Sequence, residues 1–321
     1  MLIVRHVVLG TVLSMGILAA FAGDNGIDTS RVSIEPRRSE VAVRSDIRVD
    51  SNLVLIPVSV TDRNHHSVTG LDRGAFRIFE DRRERSVEQF SRDEEALSLG
   101  IVFDSSGSMV NKLRSARQAV GEFLKSANPE DEFFLVNFRN QPELAVPFTH
   151  RSEEIQNRLI FTESRGKTAL LDAVYLALHY MKRAQNPRRA LLVISDGGEN
   201  ESRYTQSELR NVVRETDTWI YSVGIFDSTS PVLPEEERGG PQLLTNLAKE
   251  SGGRQFAVER LTDLPEAMAA IGEELRNRYI LAYSSSKPGR DGKYHRIQVK
   301  LTEHADWHVA SRAGYYAPAE H

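Results

Sequence analysis

Cysteine is absent from the 321-residue chain, and this absence excludes several kinds of chemistry. Without thiols there are no disulfides, no thiolate nucleophile and no zinc–thiolate site. A lipid anchor on a cysteine near the N-terminus is excluded for the same reason. The composition is 40% hydrophobic, which is enough to build the core of one or two domains.

Two further features are scarce, namely clustered charge of one sign and long apolar runs. The formal net charge is −4 with both signs well mixed, so the sequence lacks the basic face that nucleic-acid binding requires. Beyond the first 22 residues no apolar run approaches the roughly 20 residues of a membrane-spanning helix. We therefore expect no nucleic-acid partner and no membrane span in the mature protein.

The first 22 residues have the pattern of a secretory signal. Arg5 and His6 form a polar start, residues 7–20 are apolar, and Ala20-Phe21-Ala22 matches an A-x-A cleavage site. The alternative is an uncleaved membrane anchor, for which the apolar run is short. The pattern predicts cleavage after Ala22 and a protein exported to the periplasm or the cell exterior.

The remainder of the chain changes character twice. From residue 97 strands alternate with helices, which is typical of a doubly wound, mostly parallel sheet with helices on both faces. The flanks on either side are β-rich and too small to cover their own edges, so we expect them to pair into one small β module. The predicted organisation is a signal (1–22), a flexible linker (23–50), an N-terminal β module (51–95), an α/β domain (96–277) and C-terminal strands (278–321).

The most informative stretch is the buried strand 97–103 and the loop that follows it. Asp104 ends the strand, Ser106 and Ser108 follow at alternate positions, and Gly107 permits a tight turn between them. Oxygen ligands at the carboxyl end of a parallel strand favour a hard cation such as Mg²⁺, Mn²⁺ or Ca²⁺. The alternative is that these residues cap the next helix, although one capping residue would be enough.

The segment 104–108, DSSGS, resembles the D-x-S-x-S motif of von Willebrand factor type A domains with their metal-ion-dependent adhesion site. It is most similar to the bacterial VWFA-related group of the type common in Acidobacteria, in which Ser105 is usually threonine. The C-terminal flank is also similar to that group, through R-Y-x-L-x-Y at 278–283 and G-Y-Y-A-P at 314–318.

The resemblance implies two more ligands, each of which has a second interpretation. Thr168 corresponds to the threonine of the second loop, and it could also be an N-cap. Asp196 follows the apolar strand 189–195 and corresponds to the third loop. Gly166-Lys167-Thr168 looks like the end of a P-loop, but Phe161 stands where that motif needs glycine, so we expect no nucleotide. The implied metal ligands are Asp104, Ser106, Ser108, Thr168 and Asp196.

In the family such a site leaves one coordination position open for an Asp or Glu of a partner protein. The resemblance therefore implies a non-enzymatic adhesion or scaffold protein that holds Mg²⁺, with Mn²⁺ or Ca²⁺ as alternatives. A structural envelope protein whose metal only ties loops together is a second interpretation. A hydrolase that uses Ser106 or Asp104 is disfavoured, because G-x-S-x-G and a histidine in the site loops are lacking.

Overall fold

The computed structural model of the chain describes residues 53–226, 239–285 and 291–317. The predicted signal (1–22) and linker (23–50) lie outside these residues, and so does most of the loop 227–240. None of the helices in the described ranges combines the length and apolar character needed to cross a membrane.

Strands and helices follow one another in the order that the sequence indicates. The strands are β1 (Leu53–Thr61), β2 (Phe76–Glu80), β3 (Arg83–Arg85), β4 (Gln89–Arg92), β5 (Leu97–Asp104), β6 (Glu132–Phe138), β7 (Pro142–Thr149), β8 (Arg188–Ser195), β9 (Thr218–Ile225), β10 (Gln255–Val258), β11 (Arg278–Ser284), β12 (Tyr294–Leu301), β13 (His308–Ser311) and β14 (Gly314–Tyr316). The helices are α1 (Leu113–Lys125), α2 (Ser152–Ile160), α3 (Leu170–Met181), α4 (Gln206–Glu215), α5 (Gly240–Ser251) and α6 (Leu264–Arg276).

Six of the described strands form a central sheet in the order β10-β9-β8-β5-β6-β7. Its pairings are parallel except at the edge, where β7 runs antiparallel to β6. Successive residues of β5 point to opposite faces, so Ile101 packs in one hydrophobic cluster and Val102 in the other. Helices α1, α2 and α6 cover the first face, and α3, α4 and α5 cover the second. This arrangement confirms the predicted α/β fold.

The two flanks of this domain are paired with each other in two four-stranded sheets. One has the order β13-β1-β11-β4 and the other β14-β12-β2-β3, so each sheet contains strands from both flanks. The sheets share one core, whose members come from both: Ile56, Val58, Val60, Phe76, Ile78, Val87, Tyr279, Leu281, Tyr283, Ile297 and Val299. The α/β domain is thus inserted into a split β module, which covers edges that neither flank could cover alone.

Two local features lie near the sheets. Proline favours an edge strand or a bulge, and Pro57 stands in β1, which lies between β11 and β13. Proline is accommodated because β13 pairs only with residues 58–61, so the strand is locally an edge at Pro57. The helix after the DSSGS loop begins at Leu113, and a 3₁₀ turn over Gly107–Met109 precedes it.

Candidate metal centre

Three loops meet at the carboxyl edge of the central sheet. Asp104 is the last residue of β5, and Asp196 directly follows β8, the parallel neighbour of β5. Thr168 lies in the connection between α2 and α3. Parallel strands end at the same edge, so the two carboxylates are brought together by the topology itself.

Backbone hydrogen bonds hold the three loops against one another. The amide of Gly107 donates to the carbonyl of Gly166 over 2.9 Å, and the amide of Arg165 donates to the carbonyl of Ser105 over 2.9 Å. The third loop is held to the second, since the amide of Asn200 donates to the carbonyl of Thr168 over 3.1 Å. The predicted site residues therefore sit on one interlocked surface.

Asp104 is completely buried and receives two hydrogen bonds. The amide of Ser106 donates to Oδ1 over 2.8 Å, and the hydroxyl of Ser195 donates to Oδ2 over 2.5 Å. Burial, reinforced by the nearby carboxylate of Asp196, raises the pKa of Asp104 to about 7 despite these bonds. Two carboxylates buried this closely are disfavoured as anions unless positive charge is brought to them.

The hydroxyls predicted as ligands lie beside other oxygens of the three loops. Ser106 Oγ lies 3.1 Å from Ser108 Oγ, and Ser108 is exposed while Ser106 is buried, so the site opens to solvent on the Ser108 side. A Cβ built on Gly198 would lie 3.3 Å from Thr168 Oγ1 and 3.5 Å from Asp196 Oδ1. A side chain at position 198 would therefore contact both oxygens, and glycine avoids this contact.

Asp196 has a cationic partner in the chain itself. The ammonium of Lys112 donates to Asp196 Oδ2 over 2.9 Å, and both side chains are buried. The amide of Gly198 lies 3.4 Å from the other carboxylate oxygen, Oδ1.

The capping interpretation of these residues is wrong for the helices concerned. Ser106 precedes the 3₁₀ turn, but its side chain makes no capping hydrogen bond. The N-cap position of α1 is taken by Lys112, and that of α3 by Ala169 rather than Thr168; neither makes a side-chain cap. The oxygens of Ser106 and Thr168 are thus not engaged as helix caps.

The donor set fits a hard divalent cation. Carboxylates and hydroxyls are the ligands that Mg²⁺ and Ca²⁺ prefer, and the five predicted ligands lie on three loops that are hydrogen-bonded to one another. Within residues 53–226, 239–285 and 291–317, no group of three or more His, Cys, Asp or Glu side chains is arranged to hold a metal. A cation bound here would therefore depend on the hydroxyls as well as on the two aspartates.

A family model for the von Willebrand factor type A domain matches residues 99–199, the range that contains all three loops. The chain contains a von Willebrand factor type A (VWA) domain. The match covers the segment from β5 to the loop after β8, so the VWA domain includes every predicted site residue.

Several known proteins are similar to this chain. A protein described as uncharacterized from Borreliella burgdorferi is 24% identical over 180 residues, covering 49% of this chain and 52% of that protein. A UPF0353 protein of Mycolicibacterium paratuberculosis is 24% identical over 205 residues, covering 56% and 61%. The chain thus spans 52% and 61% of the length of these two relatives. A solved structure, von Willebrand factor type A from Catenulispora acidiphila, is 11% identical with a TM-score of 0.49, covering 84% of this chain and 73% of that one.

Sequence reasoning missed several side-chain contacts of the predicted ligands in the VWA domain. Ser195 donates to Asp104, Asn200 Oδ1 accepts from the amide of Thr168 over 2.9 Å, and Lys112 pairs with Asp196. Ser195 and Asn200 flank Asp196 in sequence, so their proximity could have been inferred. No sequence pattern indicates the role of Lys112, because a lysine just before an amphipathic helix is expected to be exposed to solvent.

Proposed function

We propose that the VWA domain binds a divalent cation, with Mg²⁺ favoured over Mn²⁺ and Ca²⁺, and uses it to hold an Asp or Glu side chain of a partner protein. The proposed ligands are Asp104, Ser106, Ser108, Thr168 and Asp196. In this proposal the cation supplies positive charge and an open coordination position, while the chain supplies orientation.

The convergence of oxygens from three separate loops carries the proposal. A capping role would require one side chain per helix, and the caps of α1 and α3 are other residues. Loops that were only connections would not need two adjacent buried carboxylates, which are costly without a cation. The gap at Gly198 gives a cation room between Thr168 and Asp196.

Binding is favoured over catalysis by the surroundings of the two candidate nucleophiles. Ser106 Oγ contacts the hydroxyl of Ser108 and not a base, and in the part of the chain that the structure describes no histidine is hydrogen-bonded to it. Asp104 is fully buried with both oxygens engaged, which suits a positioning role better than attack on a substrate.

We also propose that the protein is exported to the periplasm or the cell exterior. The support is the signal-like pattern of residues 1–22. Mass spectrometry of the protein from an envelope fraction tests this, since cleavage after Ala22 gives a chain that starts at Gly23. A mass that includes residues 1–22 would contradict cleavage.

Capture of a partner from envelope extract tests the binding proposal. The chain from Gly23 is immobilised in Mg²⁺, in EDTA, and as Asp104→Ala in Mg²⁺. We expect one partner to be retained only by the wild type in Mg²⁺. Asp306→Ala is the matched control, because this exposed aspartate pairs with Arg63 in the β module and should not affect capture. Equal capture by the wild type in Mg²⁺, by the wild type in EDTA and by Asp104→Ala would contradict the proposal. A metal bound at the site would then have only a structural role.

A further inference from the structure

The position of Lys112 is not explained by the helix that it precedes. It occupies the N-cap of α1, where the helix dipole is positive and a lysine is disfavoured. Lysine is also rarely buried without a partner, and this one is only 7% exposed. The contact with Asp196 accounts for both features, since a buried carboxylate offsets the dipole and the loss of water.

The charges at the site add up differently with Lys112 than without it. Counted as the carboxylates that would ligate a cation, Asp104 and Asp196 together with the ammonium of Lys112 carry one negative charge. Adding a divalent cation to this set leaves one positive charge. Without the lysine, the two carboxylates alone would neutralise the cation completely. Uncompensated charge in a buried site is unfavourable, so with the lysine present the metal-bound site favours one additional negative charge.

We propose that Lys112 competes with the metal for Asp196. The positive charge of Lys112, which stays in the site after the metal binds, then makes metal binding and carboxylate binding mutually dependent. This inference rests on the proposed metal site and assigns a further residue to it. The lysine stabilises the metal-free domain and, by like-charge repulsion, lowers the affinity of the site for the cation. Once the cation is bound, the site keeps one positive charge, which an acidic side chain of the partner neutralises. By linkage, a bound carboxylate then raises the affinity for the cation by the same factor as the bound cation raises the affinity for the carboxylate.

Mn²⁺ binding to the full-length protein tests the role of this lysine. Calorimetric titrations compare the wild type, Lys112→Met and Lys125→Met, each with and without acetate as the carboxylate probe. Lys125 is the matched control, because it lies at the far end of α1 and pairs with Glu122 at the surface. We expect Lys112→Met to bind Mn²⁺ at least about tenfold more tightly than the wild type. Acetate should strengthen binding to the wild type and have little effect on Lys112→Met.

A metal-free measurement provides a second readout. In EDTA the melting temperature of Lys112→Met should fall below that of the wild type, because Asp196 loses its cationic partner, and Mn²⁺ should restore it. Lys112→Gln keeps a hydrogen-bond donor for Asp196 without the charge. It serves as the test variant if Lys112→Met does not fold.

The outcomes separate this inference from the proposed function. Equal Mn²⁺ affinity of the wild type and Lys112→Met would overturn the inference and leave the metal site standing. Binding by Lys112→Met alone would support the inference and contradict metal binding by the resting wild type. Absence of binding in all variants would overturn both.

Discussion

The molecule contains two places where carboxylates are buried, and they are neutralised in different ways. In the β module, Glu80 is 2% exposed and every donor around it comes from the chain. Tyr283, Ser285 and Tyr315 donate their hydroxyls to Oε1 over 2.8–3.0 Å, and Arg85 donates to Oε2 over 2.9 Å. The site joins both flanks, since Glu80 and Arg85 precede the VWA domain and the three hydroxyls follow it.

The buried carboxylate of Asp104, at the edge of the VWA sheet, accepts hydrogen bonds from fewer donors than Glu80 does. Burial raises the pKa of Glu80, but its four hydrogen-bonding partners outweigh burial and the pKa is lowered overall. For Asp104, burial and the charge of Asp196 prevail and the pKa is raised to about 7. A carboxylate that accepts hydrogen bonds from four side chains has a structural role, whereas a buried pair in which only Asp196 contacts a lysine still favours an added cation.

Removal of the Glu80 carboxylate should have the largest effect on stability. Glu80→Ala removes the acceptor of three hydroxyls and the ion pair with Arg85, and breaking a buried ion pair costs about 3–5 kcal/mol of unfolding free energy. Urea denaturation measures this loss, and Mg²⁺ should not restore it. Glu84→Ala is the control, because this exposed residue pairs with Arg77 and should change stability by less than about 1 kcal/mol. Similar losses in the two variants would contradict the comparison.

The sequence predicts one of these two sites much better than the other. The DSSGS loop and Asp196 are recognisable because each follows a continuous apolar strand, so a local pattern places them at the sheet edge. Glu80 gives no such signal, since its partners Tyr283 and Ser285 are 203 and 205 residues away in the chain.

A contact of the same long-range kind explains why sequence reasoning missed Lys112 at the candidate metal centre. Lys112 lies 84 residues from its partner Asp196 in the chain. The local environment of Pro57 likewise depends on where β13 stops pairing with β1. Strand order and the edge that carries the site follow from local patterns, whereas individual side-chain partners depend on tertiary packing.

Added metal should stabilise the VWA edge by an intermediate amount. If the site binds Mg²⁺, the unfolding free energy rises by about 2.7 kcal/mol at a free concentration of about one hundred times the dissociation constant. Gly198→Ala should remove most of this gain, because its Cβ would lie 3.3 Å from Thr168 Oγ1 in the space proposed for the cation. Denaturation with and without Mg²⁺ measures the difference.

Gly121→Ala is the control for this substitution. Gly121 lies within α1, where a Cβ would approach only Gln156 Oε1 at 4.0 Å, and alanine favours helix. This variant should keep the full gain from Mg²⁺. A gain in Gly198→Ala equal to that of the wild type would mean that the cation, if bound, does not use the space between Thr168 and Asp196.

The smallest predicted effect concerns carboxylates that are neutralised by a titratable cation. His295 is buried, with Nδ1 2.9 Å from Asp81 and Nε2 3.2 Å from Asp291. Burial lowers its pKa, but the two carboxylates outweigh burial and raise it above the ordinary 6.5. The folded state thus binds the proton more tightly than the unfolded state. The resulting stability is fully present below pH 6.5 and is lost as the pH rises through the raised pKa.

Replacing this histidine should therefore remove part of the pH dependence. When the wild type is denatured at a series of pH values from 6.5 upward, its unfolding free energy should fall as the pH rises. The fall should be shallower for His295→Gln. His179→Gln, at an exposed position on α3, controls for the loss of a histidine. Parallel curves for the wild type and His295→Gln would mean that Asp81 and Asp291 do not hold the proton on His295. A shallower curve would add a third case, in which the charge that balances the carboxylates depends on pH.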